Sequence, residues 1–361
     1  MKKISKIFFD VDPYQLDKKS KEKILIARLK ELENHHRKKS KIYKRLSLIN
    51  KLDLRDIKKI SDVPFLPVQL FKSHEIKSIG NNKIVKTLTS SGTTGQAVSK
   101  IYLDKDTALL QTKALVKIVG DYIGSKRIPM IIMDSKSIFE DPSLFTARGA
   151  GILGMANFGR DHFYALNKNM QIDIKGLSNW LKKYEKEPKF IFGFTFMIWQ
   201  YLYKECESKN IKFNLSKTLL LHSGGWKKMN DQAVSKKQFK FYLKKQFKLS
   251  QIHNFYGMVE SVGSIYIECN EGFFHSPVFS EIIVRRHSDW SQAKNGEEGV
   301  IQVISSLAQS YPGHSILTED LGTIHGVDNC KCGRKGSYFT ISGRVPNVEM
   351  RGCSDTHVSE E

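Results

Sequence analysis

The residue order predicts an α/β fold, on three observations. Apolar runs of strand length, such as Ile128–Met133 and Thr218–Leu221, alternate with stretches of helical periodicity. A glycine-rich, hydroxyl-rich segment, Thr87–Lys100 (TLTSSGTTGQAVSK), lies between two β-leaning runs. The chain has 361 residues, 40% of them hydrophobic, enough to bury one large core or two modest ones.

The elements follow in order. Lys21–Leu48 predicts a helix, with Leu25, Leu29 and Leu32 at helical spacing and charges between them; His35 and His36 are expected at its surface. Val63–Val68, with Pro64 and Pro67, is expected to be extended and to lead, through Leu70, Phe71 and Lys72, toward the glycine-rich loop. Ile84–Leu88 and Lys100–Leu103 read as strands and Asp104–Ile123 as a helix. Phe145–Arg160 carries four glycines and is expected to be either a loop over a pocket or a set of tight turns. After a helix at Leu177–Tyr184, Phe190–Trp199 is polar only at Thr195 and reads as core strand and turn, as the wall of an acyl pocket, or as both. Thr218–Leu221 runs into Gly224-Gly225-Trp226, a strand end of the kind at which open α/β sheets bind ligands. Asn230–Phe247 predicts a basic amphipathic helix and Gly299–Ser305 a strand, while Thr318–Gly322 is expected at a strand–turn junction.

A net charge of +21 invites a nucleic-acid reading, but the lysines are spread through Lys2–Lys59, Lys182–Lys189 and Lys227–Lys248, with no recognition module. Solvated helix faces are one account of the charge; a basic surface for an acidic partner or anionic lipid is the other. No apolar run approaches the roughly 20 residues of a membrane span. Asp10 and Asp12 cut short the apolar stretch at the start, and five scattered cysteines argue against a disulfide framework, so the expected compartment is the cytoplasm.

The chemistry-bearing residues fall into two groups. Ser90, Ser91, Gly92, Thr93, Thr94 and Gly95 can bring backbone N–H groups and hydroxyls to phosphate oxygens, although a polar hairpin loop remains the alternative. Tyr256 before Gly257 offers a flat face for a base, Glu260 a hard oxygen ligand for Mg²⁺, and Asp320 a carboxylate for two ribose hydroxyls. Separately, Cys269 and His275, with Cys330 and Cys332, offer four ligands of the kind tetrahedral zinc takes; reduced thiols without metal are the alternative, and His325 is a competing ligand. Cys206 has no assigned role.

The series SSGTTG, Gly224-Gly225-Trp226, Tyr256–Glu260, Thr318–Asp320 and Gly343-Arg344 resembles, in order and spacing, adenylate-forming enzymes, which activate carboxylic acids as acyl-AMP. The usual Pro-Lys after the loop is Ala97-Val98 here, as in the branch that resembles phenylacetate–coenzyme A ligase, and the usual threonine before the glutamate is Val259. The resemblance implies that Ser90–Gly95 hold the ATP phosphates and that Gly224, Gly225, Tyr256 and Gly257 line the adenine. It places Glu260 on Mg²⁺, Asp320 on the ribose, and Arg344 at the hinge to a C-terminal domain.

Only seventeen residues follow Arg344, so the expected fold is the N-terminal domain of such enzymes, with the mobile C-terminal domain replaced by a short tail. Together with Pro64-Phe65-Leu66-Pro67, Leu70-Phe71-Lys72, Ala147–Gly151, Gly224–Lys228 and Arg351-Gly352-Cys353, this resembles the LuxE-type acyl-protein synthetase of bacterial luminescence fatty-acid reductase. The implied organisation is an N-terminal helical region at 1–60, an adenylating domain at 61–344 and a mobile tail at 345–361. The implied activity is activation of a long-chain fatty acid by ATP and Mg²⁺ and its transfer to Cys353, the acyl acceptor, as a thioester. Implied partners are a reductase subunit that makes aldehyde and an acyl-transferase (thioesterase) subunit. Arg351 and His357 are candidates for activating the thiol. Two rivals are an acyl- or aryl-coenzyme A ligase and a non-catalytic acyl-binding scaffold.

Overall fold

The computed structural model describes residues 7–49, 57–90, 98–140, 147–226, 233–261 and 263–345. Ser91, Gly92, Thr93, Thr94 and Gly95, together with Arg351, Cys353 and His357, lie outside the described residues. Two compact units emerge. Of the described residues, one takes in those up to 90, those at 98–118 and those at 257–345; the other is built from those at 119–256. The stretch 61–344 contributes to both.

The first unit opens with helix Lys18–Lys39, N-capped by the Asp17 carboxylate, which accepts from the Ser20 N–H. The expected helix through Leu48 is broken at Ser40, whose extended backbone separates it from a second helix, Lys41–Ile49. Its buried stripe is Lys21, Leu25, Arg28, Leu29, Leu32, Glu33 and His36, so polar groups share the core face with the leucines. They are tolerated because each finds partners. The Lys21 ammonium donates to Ser276 O at 3.0 Å and pairs with Glu281, and Arg28 Nε donates to Ser306 O. His36, expected at the surface, is buried; its ring nitrogens bond Ser78 Oγ and Ala308 O. Periodicity alone assigns a histidine beside charged residues to solvent, and the partners that draw it inward are remote in sequence.

Three strands follow in this unit: β1 (Leu66–Pro67), β2 (Lys86–Thr89) and β3 (Lys100–Leu103). β2 and β3, read as strands in the sequence, pair antiparallel, and Ser90 closes the base of their connection: its N–H donates to Ser99 O and its hydroxyl accepts from Ser99 N–H.

The second unit holds β4 (Ile128–Ser135), β5 (Gly159–Leu166), β6 (Lys189–Phe194), β7 (Thr218–Ser223) and β8 (Gln251–Tyr256). They pair parallel in the order β5-β4-β6-β7-β8. β4, β6 and β7 are buried almost end to end, as strands covered on both faces must be. The chain leaves β4 for β5 on one side and returns to β6 on the other, so β4 and β6 flank the topological switch point.

The glycine-rich stretch 145–160, expected as a loop or turns, instead contains helix Ala147–Ala156. Glycine costs a helix interior about 1 kcal/mol relative to alanine, but close packing offsets that cost. A Cβ on Gly151 would already touch the Phe194 ring at 3.7 Å, and Arg148 is anchored to Asp134 at the end of β4.

Back in the first unit come β9 (Tyr266–Ile267), β10 (Phe274–His275), β11 (Ser280–Arg285), β12 (Glu298–Ser305), β13 (Ser315–Val327) and β14 (Ser337–Arg344). Of these, β10 to β14 form an antiparallel sheet in the order β10-β14-β13-β12-β11, with β1 added parallel to β13. Thr318–Gly322, expected at a strand–turn junction, lies inside β13. A register slip explains the local turn signal: Val300 pairs with Leu321 and Gln302 with Leu317, so Thr318, Glu319 and Asp320 fall out of step with β12. Among the described residues no helix is long and apolar enough to cross a membrane.

Candidate functional site

Glu260 lies in the short 3₁₀ turn Val259–Ser261 and is buried. Burial raises the proton affinity of its carboxyl; a hydrogen bond from Ser99 and the positive field of Lys72 oppose the rise, and the negative field of Asp320 adds to it. The turn is fixed from behind, since Tyr311 Oη donates to Glu260 O at 2.9 Å. A buried carboxylate with a second carboxylate in its field offers oxygen ligands of the kind a hard divalent cation takes.

Lys72 is a residue to which sequence reasoning gave no role. It stands on the helical turn Leu70–Ser73, and Nζ donates to both Glu319 oxygens, at 3.0 and 3.2 Å. Neighbouring Asp320 has its N–H on Thr318 Oγ1, which itself donates to Ile301 O at 2.8 Å. β13 and β14 bring Asp320 opposite Arg344, with Nε 3.5 Å from Oδ1. Glu260, Asp320 and Arg344, scattered in sequence, are therefore gathered in one unit with Lys72 and Glu319.

In the second unit the carboxyl ends of β6, β7 and β8 lie side by side, Phe194 opposite Ser223 and Ser223 opposite Phe255. This register sets Gly224 and Gly225 beside the end of the strand that carries Tyr256. Gly224 has φ +82°, a backbone region that favours glycine. Thr195 ties these strand ends together: its hydroxyl donates to Ser223 O and accepts from His222 Nδ1 at 2.9 Å. Ser223 Oγ donates to Phe255 O. At the other side of the switch point the Arg148 guanidinium pairs with the Asp134 carboxylate, both buried, with Nε 2.7 Å from Oδ2. Thr195, His222 and the Arg148–Asp134 pair carry no local motif that names them.

The cysteine and histidine cluster assembles in the first unit. Cys269, His275 on β10, Cys330 and Cys332 place all four ligand atoms within 4.8 Å of one another. Cys269 and Cys330 sulfurs are 4.0 Å apart, too far for a disulfide, and Cys332 Sγ lies 3.3 Å from His275 Nε2. Tetrahedral zinc with the usual bond lengths sets sulfur–sulfur and sulfur–nitrogen separations of about 3.8 and 3.5 Å, so the cluster fits the ion. Burial pushes the Cys330 thiol up to about 12 and holds His275 down to about 4. His325 bonds Thr340 Oγ1 and stands outside the cluster. Cys206 is buried, its thiol pushed up to about 11 by that burial.

A family model described as acyl-protein synthetase, LuxE, matches residues 1–360. The long-chain-fatty-acid–luciferin-component ligase of Vibrio harveyi is 21% identical over 315 residues, covering 82% of this chain and 78% of that protein. A solved 2-hydroxyisobutyryl-CoA ligase in the postadenylation state with 2-HIB-AMP superposes with a TM-score of 0.70 at 15% identity, covering 94% of this chain and 70% of that one. An open conformation of that ligase with 2-HIB-AMP and CoA gives 0.70, 15%, 94% and 78%. At such identity the likeness is one of fold, that of adenylate-forming ligases.

Proposed function

The chain belongs to the LuxE family of acyl-protein synthetases, and from that premise we propose that it activates a long-chain fatty acid as acyl-AMP, carries it on Cys353 and passes it to a reductase partner. ATP-dependent acyl activation is the chemistry of the family and its fold. The chain length, the thioester and the partner are our extension. The single observation that best supports acyl activation by this chain is the gathering of Glu260, Asp320, Arg344 and Lys72 in one unit, since a carboxylate pair and two cations suit a metal-bound nucleotide.

In the first step the fatty carboxylate attacks the α-phosphorus of ATP and pyrophosphate leaves. A fatty acid shares the ordinary carboxyl pKa of about 4.3, so it is ionised at neutral pH and no general base is needed. Ser90–Gly95 would bind the phosphates, Gly224, Gly225, Tyr256 and Gly257 the adenine, and Asp320 the ribose. Glu260 would hold Mg²⁺, whose charge offsets that of the phosphates. Lys72 would add a cation beside it, and Arg344 would orient Asp320. In the second step the Cys353 thiolate attacks the acyl carbonyl, the thioester forms, AMP leaves, and the thiol proton goes to solvent. The acyl group then exchanges onto a thiol of the partner, which frees Cys353, and hydride from the partner's NADPH would reduce that thioester to aldehyde and release the partner's thiol. Cys269, His275, Cys330 and Cys332 would hold a structural zinc.

The first step is tested by pyrophosphate release from Mg·ATP across a panel of fatty acids. Release that depends on a long-chain acid is expected; release with none of them would remove the proposed substrate.

A further inference from the structure

The parallel sheet of the second unit has a cavity of about 460 Å³ at its other edge, where the strands begin. Its lining takes residues at the amino ends of β4, β6, β7 and β8, whereas the strand ends discussed above lie at the carboxyl edge. In open α/β sheets ligands bind at the carboxyl edge, so this cavity belongs to no step of the proposed reaction. Its volume is in the range of sites for small molecules, roughly 300–1,000 Å³.

Two kinds of lining meet there. Ile123, Ile128, Pro188 and Leu219 supply an apolar wall. Against it stand three ammonium groups, those of Lys186, Lys189 and Lys217, and among the described residues none of them forms an ion pair. Lys189 is buried, with Nζ donating to Tyr184 O and Glu187 O, which leaves one N–H; Lys217 Nζ reaches only Lys186 O, at 3.5 Å. Burial, and then the like charge of Lys217, lower the proton affinity of Lys189, against the opposing fields of Glu187 and Glu185. Glu187, the near carboxylate, is paired with Arg160. The decisive group is Thr218: it lines the cavity, it is 2% exposed, and its hydroxyl has no hydrogen-bond partner. A buried hydroxyl left without a partner carries a desolvation cost that nothing in the chain offsets.

We propose that this cavity is a second ligand site, which takes an anion with oxygen atoms in its headgroup and an apolar body. The headgroup accepts from Thr218 Oγ1 and from the three ammonium groups, and the body lies against Ile128 and Leu219. The proposal is independent of the reaction assigned to the carboxyl edge.

Lysine acetylation, read peptide by peptide by mass spectrometry on the full chain, tests it without passing through catalysis. Decanoate, decyl phosphate and inorganic phosphate are the probes. Acetylation of Lys186 and Lys217 is expected to slow about threefold at twice the dissociation constant of a decyl compound, with Lys212 and Lys248 unaffected. Which decyl compound protects at the lower concentration assigns the headgroup. In Thr218→Val, and separately in Lys217→Gln, protection of Lys186 should need several times more ligand. Equal protection by inorganic phosphate would overturn the apolar body. No protection by any probe, or protection unchanged in both variants, would overturn the site.

Discussion

Glu260 shows what a residue's surroundings add to its type. In sequence it is a glutamate after a Tyr-Gly turn; in the fold it is buried between the fields of Lys72 and Asp320. Removing its charge while keeping its shape, Glu260→Gln, should lower fatty-acid-dependent pyrophosphate release by about 10²-fold or more, with the fold intact by circular dichroism. His36 yields a pH prediction. Burial holds its proton affinity well below the ordinary value of 6.5, and repulsion from His314, His35 and Arg28 adds to this. Packed against it are His314, which stacks at 5.1 Å between ring centres, and Tyr43, hydrogen-bonded to Glu33, which pairs with Arg37. Below about pH 6.5 the unfolded chain takes up a proton at His36 that the folded chain refuses, so stability falls as pH falls. Thermal denaturation between pH 7.5 and 5 should show a steeper loss for the native chain than for His36→Asn. None of these surroundings is legible locally, because Ser78, Ala308 and His314 reach His36 across the chain. The candidate zinc ligands are legible in the sequence as residue types, and the fold supplies what spacing cannot, four atoms within 4.8 Å. Metal analysis should find about one zinc per chain, lost in Cys330→Ser.

At the scale of elements, strands were read well because β4, β6 and β7 are continuous apolar runs, and a buried strand has little else it can be. The glycine-rich helix Ala147–Ala156 was not, because propensity counts each glycine against a helix while the contacts that favour it are made with β4 and β6. Its Arg148 fastens it to the end of β4 through a buried pair with Asp134. Truncating one partner of such a pair leaves a buried charge alone, so Arg148→Ala should cost about 3–5 kcal/mol in urea denaturation. A loss below about 1 kcal/mol would mean that the helix is held by apolar packing alone. The bulge that sets Thr318–Asp320 out of step with β12 is a related case: the sequence pattern reads as a strand–turn junction, and only the pairing of β13 with both neighbours shows that the strand continues through it.

At the scale of the molecule, the order of motifs carried the fold class, and the match of the family model over residues 1–360 agrees with it. What order could not give is the split into two compact units, in which Glu260, Asp320 and Arg344 belong to one and Gly224, Gly225 and Tyr256 to the other. The central claim is that acyl activation by this chain ends on its own Cys353. Intact-protein mass, after incubation with Mg·ATP and fatty acids of graded length, tests it most directly when the native chain is compared with Cys353→Ala. The account predicts an ATP-dependent acyl adduct, cleaved by hydroxylamine, that is absent from the variant while pyrophosphate release persists. An adduct of equal extent in Cys353→Ala, or pyrophosphate release from the native chain with no adduct, would contradict it.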